Sequence, residues 1–246
     1  LSVSISPNNT KIAFNGATTS IIEANLSDLE DSVTYDGIHS STVTCLSYSS
    51  DGSFLLSGGN DGRLVRWNRN NGSAQVIHNF EAIGISDCSY SPNNGRFAVL
   101  SGGGMIHIYS ESTELEFSED ITMGTRIKWS DDGLRIFAIQ TIGASKLLSF
   151  ISTSESWTGG TITYIGHEIS DFDIKSDYTT LITATSTGHL AEYSNSFSPL
   201  FFGISGLDSD GDGIPNDYDE DDDGDGILDK WDSECAGGIS CSLTPK

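Results

Sequence analysis

Five stretches of the chain share one alternation of apolar and polar positions, in which a short alternating strand, a polar turn and an apolar strand follow one another. The turns are rich in Ser, Pro, Asn, Asp and Gly, residues that preset or tolerate the backbone angles of tight turns. The five stretches are residues 3–16, 46–59, 89–103, 128–139 and 174–184. No helical periodicity of useful length interrupts the series, so the pattern predicts an all-β fold.

The stretches recur with a nearly constant period. The serines that precede the five turns are Ser6, Ser49, Ser91, Ser130 and Ser176. They are separated by 43, 42, 39 and 46 residues, and a four-stranded propeller blade occupies about 40–45 residues. Residues 1–205 are therefore predicted to form a β-propeller of four-stranded blades, with about five blades visible.

Propellers usually have about four to eight blades, and this chain begins inside a patterned segment. We therefore expect the five blades to be part of a larger ring whose other blades lie upstream of Leu1. The alternative is a ring of five blades, in which residues 196–206 would supply the last outer strand of the fifth blade.

Residues 38–68 resemble a WD-repeat blade. His39 stands at the entry to the first strand, Asp61 and Gly62 form the turn before the third strand, and Trp67-Asn68 replaces the usual Trp-Asp pair. The resemblance implies that His39, Asp61 and Trp67 form a buried hydrogen-bonded network with Ser57. Such a network braces the blade and performs no chemistry.

The other blades keep less of this pattern. The third has glycines at 102–104 and Tyr109, while the fifth keeps Gly166-His167 but has Thr187 and Tyr193 in place of the aspartate and tryptophan. The first and fourth keep only the strand pattern. The blades are therefore degenerate, and the propeller prediction depends on period and pattern more than on the WD resemblance.

Residues 208–232 repeat one aspartate-glycine pattern twice, with starts thirteen residues apart. Aspartates at positions 1, 3 and 5 precede a glycine, and further oxygen-bearing residues follow at positions 9 and 12. Calcium takes 6–8 oxygen ligands, which alternate residues of a tight loop can supply. A disordered acidic tail would explain the charge but neither the spacing nor the paired glycines.

The segment resembles the thrombospondin type 3 repeat, and the resemblance implies calcium binding by a module with little hydrophobic core. The implied ligands of the first pass are Asp208, Asp210, Asp212, Asn216 and Asp219, with Asp217 as a substitute beside Asn216. Those of the second pass are Asp221, Asp223, Asp225, Asp229 and Asp232. We assign residues 206–234 to this extension and 235–246 to a short cysteine-containing tail.

The chain is acidic throughout, with 35 Asp and Glu against 12 Lys and Arg and a net charge of −23. Nucleic acid and anionic membrane surfaces are therefore excluded as expected partners. No apolar run reaches the ~18–20 residues of a membrane span. Cys235 and Cys241 fit a short disulfide loop in an oxidising compartment. Cys45 and Cys88, in strand-like runs, are predicted to be buried, unpaired apolar residues.

The five histidines, His39, His78, His107, His167 and His189, show no paired spacing, and no nucleophile, phosphate-loop or zinc motif occurs. We therefore predict no catalytic residue. The favoured function is an exported or cell-surface binding or adhesion protein, with a protein or glycan partner on the propeller face and a calcium-stiffened stalk. The alternatives are an exported propeller enzyme, such as a hydrolase or lyase with the same stalk, and an intracellular WD-type scaffold, which does not fit the calcium motif.

Overall fold

The structure of the chain is a computed structural model. It describes residues 2–16, 18–81, 83–93, 95–141, 145–152, 157–165, 169–175, 180–185, 188 and 190–194. The predicted calcium segment, residues 196–206 and the tail with Cys235 and Cys241 lie outside this range. Every element within it is a β-strand, which confirms the all-β prediction. No helix in the described part has the length and apolarity needed to cross a membrane.

The strands form five antiparallel sheets in chain order. The first contains β1 (Val3–Ile5), β2 (Lys11–Asn15), β3 (Ile21–Asn25) and β4 (Asp28–Tyr35). The second contains β5 (Val43–Tyr48), β6 (Phe54–Gly59), β7 (Arg63–Asn68) and β8 (Ala74–Asn79). The third contains β9 (Ile85–Tyr90), β10 (Phe97–Ser101), β11 (Met105–Tyr109) and β12 (Leu115–Asp120).

The fourth sheet contains β13 (Gly124–Trp129), β14 (Arg135–Gln140), β15 (Ser145–Ser152) and β16 (Trp157–Ile165). The fifth has three described strands, β17 (Asp171–Ile174), β18 (Thr180–Ala184) and β19 (Leu190–Ser194). In each sheet consecutive strands are neighbours, the order expected of a propeller blade. All five sequence stretches therefore lie on the first two strands of a blade, as their period predicts.

The chain divides into two compact units. The first consists of residues 1–140 and 149–159, and the second consists of residues 141–148 and 160–246. The first unit contains three complete sheets, and its core lies between them. Side chains of the first and second sheets meet in one apolar cluster that includes Ala13, Tyr35 and Leu46. Side chains of the second and third sheets meet in another that includes Leu56, Leu64 and Phe97.

Strand position within a sheet explains the burial pattern. The second strands are nearly continuous apolar runs, and β10 is buried along its whole length, because apolar neighbours cover both of its faces. The fourth strands β4, β8 and β12 are almost entirely exposed. Their charged and polar side chains suit a sheet edge, since they discourage pairing with other chains.

The serines that mark the sequence period anchor the turns between first and second strands. The Oγ atoms of Ser6, Ser49 and Ser130 each accept a 2.9 Å hydrogen bond from the backbone N–H five residues later. Three residues after each serine the backbone is left-handed, at Asn9 (φ 56°), Gly52 (φ 71°) and Gly133 (φ 65°). Asn and Gly tolerate this conformation, which is why the period is visible in the sequence.

The prediction for Cys45 and Cys88 was right about burial and wrong about pairing. Both residues are buried, but they form a disulfide with a Cα–Cα distance of 5.6 Å. Cys45 lies on β5 and Cys88 on β9, the first strands of neighbouring sheets. Their separation of 43 residues is one blade period, so the repeat itself brings the two positions side by side.

Candidate functional site

Antiparallel order places the strand connections of each blade on two opposite edges. The turns between first and second and between third and fourth strands form one edge, which we call the serine-turn edge. The connections from second to third strands and from one blade to the next form the other, the entry-loop edge. In the second blade, His39 and Asp61 are on the entry-loop edge, whereas Asp51 and Arg69 are on the serine-turn edge.

The predicted brace of the second blade is present. Trp67 Nε1–H donates to Ser57 Oγ over 2.8 Å, and Ser57 Oγ lies 2.8 Å from His39 Nε2. The other imidazole nitrogen of His39, Nδ1, lies 3.1 Å from Asp61 Oδ1. Because Asp61 can only accept and Ser57 already accepts from Trp67, the consistent assignment has His39 donating from Nδ1 and accepting at Nε2.

This arrangement requires a neutral His39. Burial lowers the pKa of His39 even though the neighbouring Asp61 carboxylate pulls it upward. Burial alone would raise the pKa of Asp61, but hydrogen bonds from the Ser40 backbone N–H and from His39 hold it below its usual value. A protonated His39 could not accept a hydrogen bond at Nε2, so this hydrogen-bonded network requires the neutral imidazole.

Asp61 orders the loops around the brace. Its Oδ2 accepts a 2.7 Å hydrogen bond from the Ser40 N–H, and its Oδ1 accepts a 3.1 Å bond from the Arg63 N–H. The side chain therefore ties the entry loop 36–42 to the turn 60–62. The network fixes backbone geometry and leaves no reactive group exposed, which agrees with the bracing role implied by the resemblance.

The third blade has no such brace among its described residues. Tyr109 takes the place of Trp67 and stacks on Phe97, with ring centroids 5.3 Å apart. Its buried hydroxyl has no hydrogen-bond partner within the described residues, and burial raises the pKa of Tyr109 to about 12. The fifth-blade residues Gly166, His167 and Thr187 lie outside the described range, as does the Tyr193 side chain.

A second buried network joins the first and second blades and was not predicted from the sequence. Glu23 Oε1 accepts hydrogen bonds from Tyr48 Oη at 2.6 Å and from Arg69 Nε at 2.5 Å. Glu23 Oε2 lies 3.3 Å from the hydroxyl of Tyr35. Burial and the adjacent Glu23 carboxylate raise the pKa of Tyr35 to about 12. The one signal in the sequence is a glutamate at the centre of β3, with apolar residues on both sides of it.

Arg69 carries this network to the serine-turn edge. Its guanidinium also donates to the Gly52 carbonyl and lies 5.0 Å from the centroid of the Tyr48 ring. Above it is a cleft of about 310 Å³ between the turns 6–8 and 50–52. Asn8 lines the cleft, and its side-chain carbonyl oxygen accepts hydrogen bonds from the Ser6 hydroxyl and the Thr10 N–H of its own turn.

The histidines do not form a catalytic constellation among the described residues. His78 and His107 both pack against Phe80, with ring centroids 4.3 Å and 4.8 Å from it, and they stack on each other with centroids 6.5 Å apart. Burial and the neighbouring His78 lower the pKa of His107 to about 4. Within the described ranges, no three His, Cys, Asp or Glu side chains converge as metal ligands. His189 and all eleven predicted calcium ligands lie outside those ranges, so the calcium site stays a prediction.

Comparison with known proteins agrees with the second-blade geometry. Residues 33–68 match the family described as "WD domain, G-beta repeat", and this segment contains the whole brace. No curated protein matches the chain significantly in sequence.

Solved propellers match much more of the chain in three dimensions. A chain of "Crystal Structure of Mitotic Checkpoint Complex" has 21% identity and a TM-score of 0.67, covering 78% of this chain and 60% of its own. "Structure of U3-55K" has 14% identity and a TM-score of 0.66, covering 79% and 61%. "Crystal structure of RRP9 WD40 repeats" has 13% identity and a TM-score of 0.64, covering 79% and 60%.

At these sequence identities the structural similarity shows a shared fold and nothing further. The described residues form an all-β propeller architecture with four blades of four strands and one blade with three described strands. The second blade is of WD-repeat type. The chain spans about 60% of the length of the solved structures named above.

Proposed function

We propose that the chain is an exported or cell-surface binding protein without catalytic activity. The propeller serves as its interaction platform, and residues 206–234 form a calcium-stiffened stalk or spacer. Adhesion to a protein or glycan is the role that this combination supports best. The observation that carries the proposal is the Cys45–Cys88 disulfide between two blades.

The disulfide supports export because structural disulfides form and persist mainly in oxidising compartments. In a reducing cytosol, two buried thiols would occupy the same place as small apolar side chains. The aspartate repeat supports the same location independently, since weak, core-poor calcium sites are filled at extracellular calcium concentrations. Neither argument depends on the identity of the partner.

The platform role is supported by how the blades are fixed. The buried networks around Ser57 and Glu23 and the disulfide hold the first three blades as a rigid support for their edge loops. Rigid scaffolds that display loops are common binding surfaces, because little conformational entropy is lost on association. One solved chain of this fold is part of the Mitotic Checkpoint Complex, where a propeller works within an assembly.

The calcium stalk is supported by charge. Residues 207–246 contain 13 acidic and two basic residues, so the segment repels itself strongly without cations. Each bound calcium ion cancels two negative charges, and ligation by spaced aspartates would order the loop around the ion. The segment would then separate the propeller from whatever follows it.

The redox state of Cys45 and Cys88 in the native organism tests the location. Cells are lysed in excess alkylating reagent, and the protein is digested without reduction and analysed by mass spectrometry. We expect a Cys45–Cys88 cross-linked peptide and no alkylation of either residue. Full alkylation of both cysteines would place the protein in a reducing compartment and contradict export.

A further inference from the structure

Two large apolar side chains are exposed on the entry-loop edge of the third blade. Ile83, in the loop between β8 and β9, is 48% exposed, and Met123, in the loop between β12 and β13, is 58% exposed. Between them lies the glycine turn 102–104. A methyl group added at Gly103 would lie 3.8 Å from Ile83 Cγ2, and one at Gly104 would lie 2.5 Å from the Met123 backbone nitrogen.

These residues, Ile83, Gly102–Gly104 and Met123, form what we call the glycine notch. The three glycines carry no side chains, so the turn leaves a shallow depression between the loop that carries Ile83 and the loop that carries Met123. A partner side chain that enters the depression would contact both residues. Burying apolar surface is favourable, so covering both residues would stabilise a complex.

The backbone around the notch is held in an unusual conformation. Thr122 has φ 40°, Met123 has φ 59°, and Glu81 on the opposite loop has φ 46°. Residues with a side chain are strained in this region of backbone angles, and such residues cluster at binding and switch sites. The other two such residues in the described chain, Asn9 and Thr113, are on the serine-turn edge.

Local hydrogen bonds hold this conformation in place. Asp120 Oδ1 accepts a 2.8 Å bond from the Thr122 N–H, and the Ile121 N–H donates to the Gly104 carbonyl over 2.9 Å. On the other loop, the Ile83 N–H donates to the Phe80 carbonyl over 3.1 Å. Hydrogen bonds therefore hold the backbone at Ile83 and just before Met123, so little entropy would be lost there on docking.

The loops that form the notch have acidic side chains beside them and contain no basic ones. Glu81 and Asp120 are exposed at its two sides, and the loops 80–84, 102–104 and 121–123 contain no Lys or Arg. The chain as a whole carries a net charge of −23. A second copy of this chain would be repelled, whereas a positively charged partner would be attracted.

We infer that the glycine notch docks a protein segment in which an aliphatic or aromatic side chain is flanked by Lys or Arg. The apolar side chain enters the depression between Ile83 and Met123, and the basic side chains pair with Glu81 and Asp120. This inference rests on the proposed binding role, to which it adds the surface and the chemistry of the partner.

A labelled peptide tests this on the full chain at about 0.15 M salt, where interactions between distant charges are screened. The probe is fluorescein-labelled Gly-Ser-Lys-Arg-Leu-Phe-Lys-Gly-Ser, followed by fluorescence anisotropy. One control peptide has Ser-Ser in place of Leu-Phe, and another has Glu in place of each basic residue. We expect the probe to bind and both control peptides to bind at least tenfold more weakly.

The matched variants locate the binding. The double variant Ile83→Ser/Met123→Ser should weaken binding at least tenfold. Leu134→Ser/Leu115→Ser removes two residues of similar exposure, 49% and 53%, on the serine-turn edge, and should change binding less than twofold. Gly103→Phe fills the depression without removing a native side chain and should also weaken binding at least tenfold. Circular dichroism melting confirms that each variant is folded.

Three results would overturn the inference: equal binding by wild type and the Ile83/Met123 variant, equal loss in the Leu134/Leu115 variant, or equal binding of the Ser-Ser peptide. Binding of glycans with no peptide binding would overturn it as well. None of these results alters the redox state of Cys45 and Cys88 in the native organism. The proposed exported binding role can therefore stand or fail separately.

Discussion

His39 and Trp67 are each hydrogen-bonded to the same atom, the Oγ of Ser57, over 2.8 Å. The entry loop, the second strand and the third strand of the blade therefore meet at one hydroxyl. Since Ser57 donates to His39 and accepts from Trp67, it satisfies two buried rings at once. Removing it would leave two buried polar groups without partners.

Ser57→Ala is therefore expected to lower the stability of the fold strongly, although it removes only one hydroxyl group. We expect a loss of about 2–3 kcal/mol in the free energy of unfolding, since each unsatisfied buried group costs about 1–3 kcal/mol. Urea denaturation followed by Trp fluorescence measures it. Ser73→Ala, an exposed serine in the β7–β8 turn, is the control and should change stability by less than about 0.5 kcal/mol. Equal effects of the two variants would show that the hydrogen-bonded brace does not contribute to stability.

The stability of the fold is expected to decrease as the pH falls, because of two buried histidines. Burial lowers the pKa of His39 below 6.5 in the folded state and lowers that of His107 to about 4. The unfolded chain therefore binds protons at a higher pH than the folded chain does. The contribution of both histidines is complete above pH 6.5 and is lost as the pH falls through the folded-state values.

Urea midpoints between pH 7.5 and 4.5 measure this dependence. We expect the midpoint to decrease below pH 6.5, and the decrease to be smaller in His39→Asn and in His107→Asn. A midpoint that rises with falling pH in the wild type but not in these variants would mean that the folded state prefers the protonated rings.

The disulfide should be a major source of stability. Closing a loop of 43 residues is worth about 4 kcal/mol from the loss of chain entropy in the unfolded state. The double variant Cys45→Ala/Cys88→Ala should unfold at a correspondingly lower urea concentration. Addition of reductant should destabilise the wild type and leave the double variant unchanged. A reductant effect of equal size in both would exclude this bridge as its cause.

The Glu23–Arg69 pair should show strong coupling between its members. Glu23→Gln leaves the Arg69 guanidinium without its buried counter-charge, and breaking such a pair costs about 3–5 kcal/mol. The double variant Glu23→Gln/Arg69→Met removes both charges, and we expect it to be more stable than Glu23→Gln alone. Thermal melting and urea denaturation of the wild type, Glu23→Gln, Arg69→Met and the double variant measure the coupling energy. Additive effects would show that the pair contributes nothing beyond its separate residues.

Local patterns predicted most of the blade architecture. The serine turns are visible because one side chain and one left-handed residue decide each of them, as at Ser49 and Gly52. The brace was predictable because His39, Ser57, Asp61 and Trp67 lie within a single blade. Within the described residues, all five predicted blades are present.

Contacts between blades were not predicted from the sequence. Cys45 and Cys88 were expected to be unpaired because free cysteine packs readily in cores, although their separation of 43 residues is one blade period, which brings β5 beside β9. The contact of Glu23 with Arg69, which belong to different blades, was also missed. The glycine notch was also missed, since Ile83 and Met123 are 40 residues apart and only the folded loops bring them to one turn.

Calcium binding by the full chain tests the central proposal, a rigid propeller on a calcium-stiffened stalk, most directly. Isothermal titration calorimetry of the wild type should give at least two bound ions. Asp223→Ala/Asp225→Ala should remove the second site and leave the melting transition of the propeller nearly unchanged, because we propose that the ligands belong to a separate module. Wild-type protein that binds no calcium would contradict the stalk, and collapse of the melting transition in the variant would contradict the division into propeller and stalk.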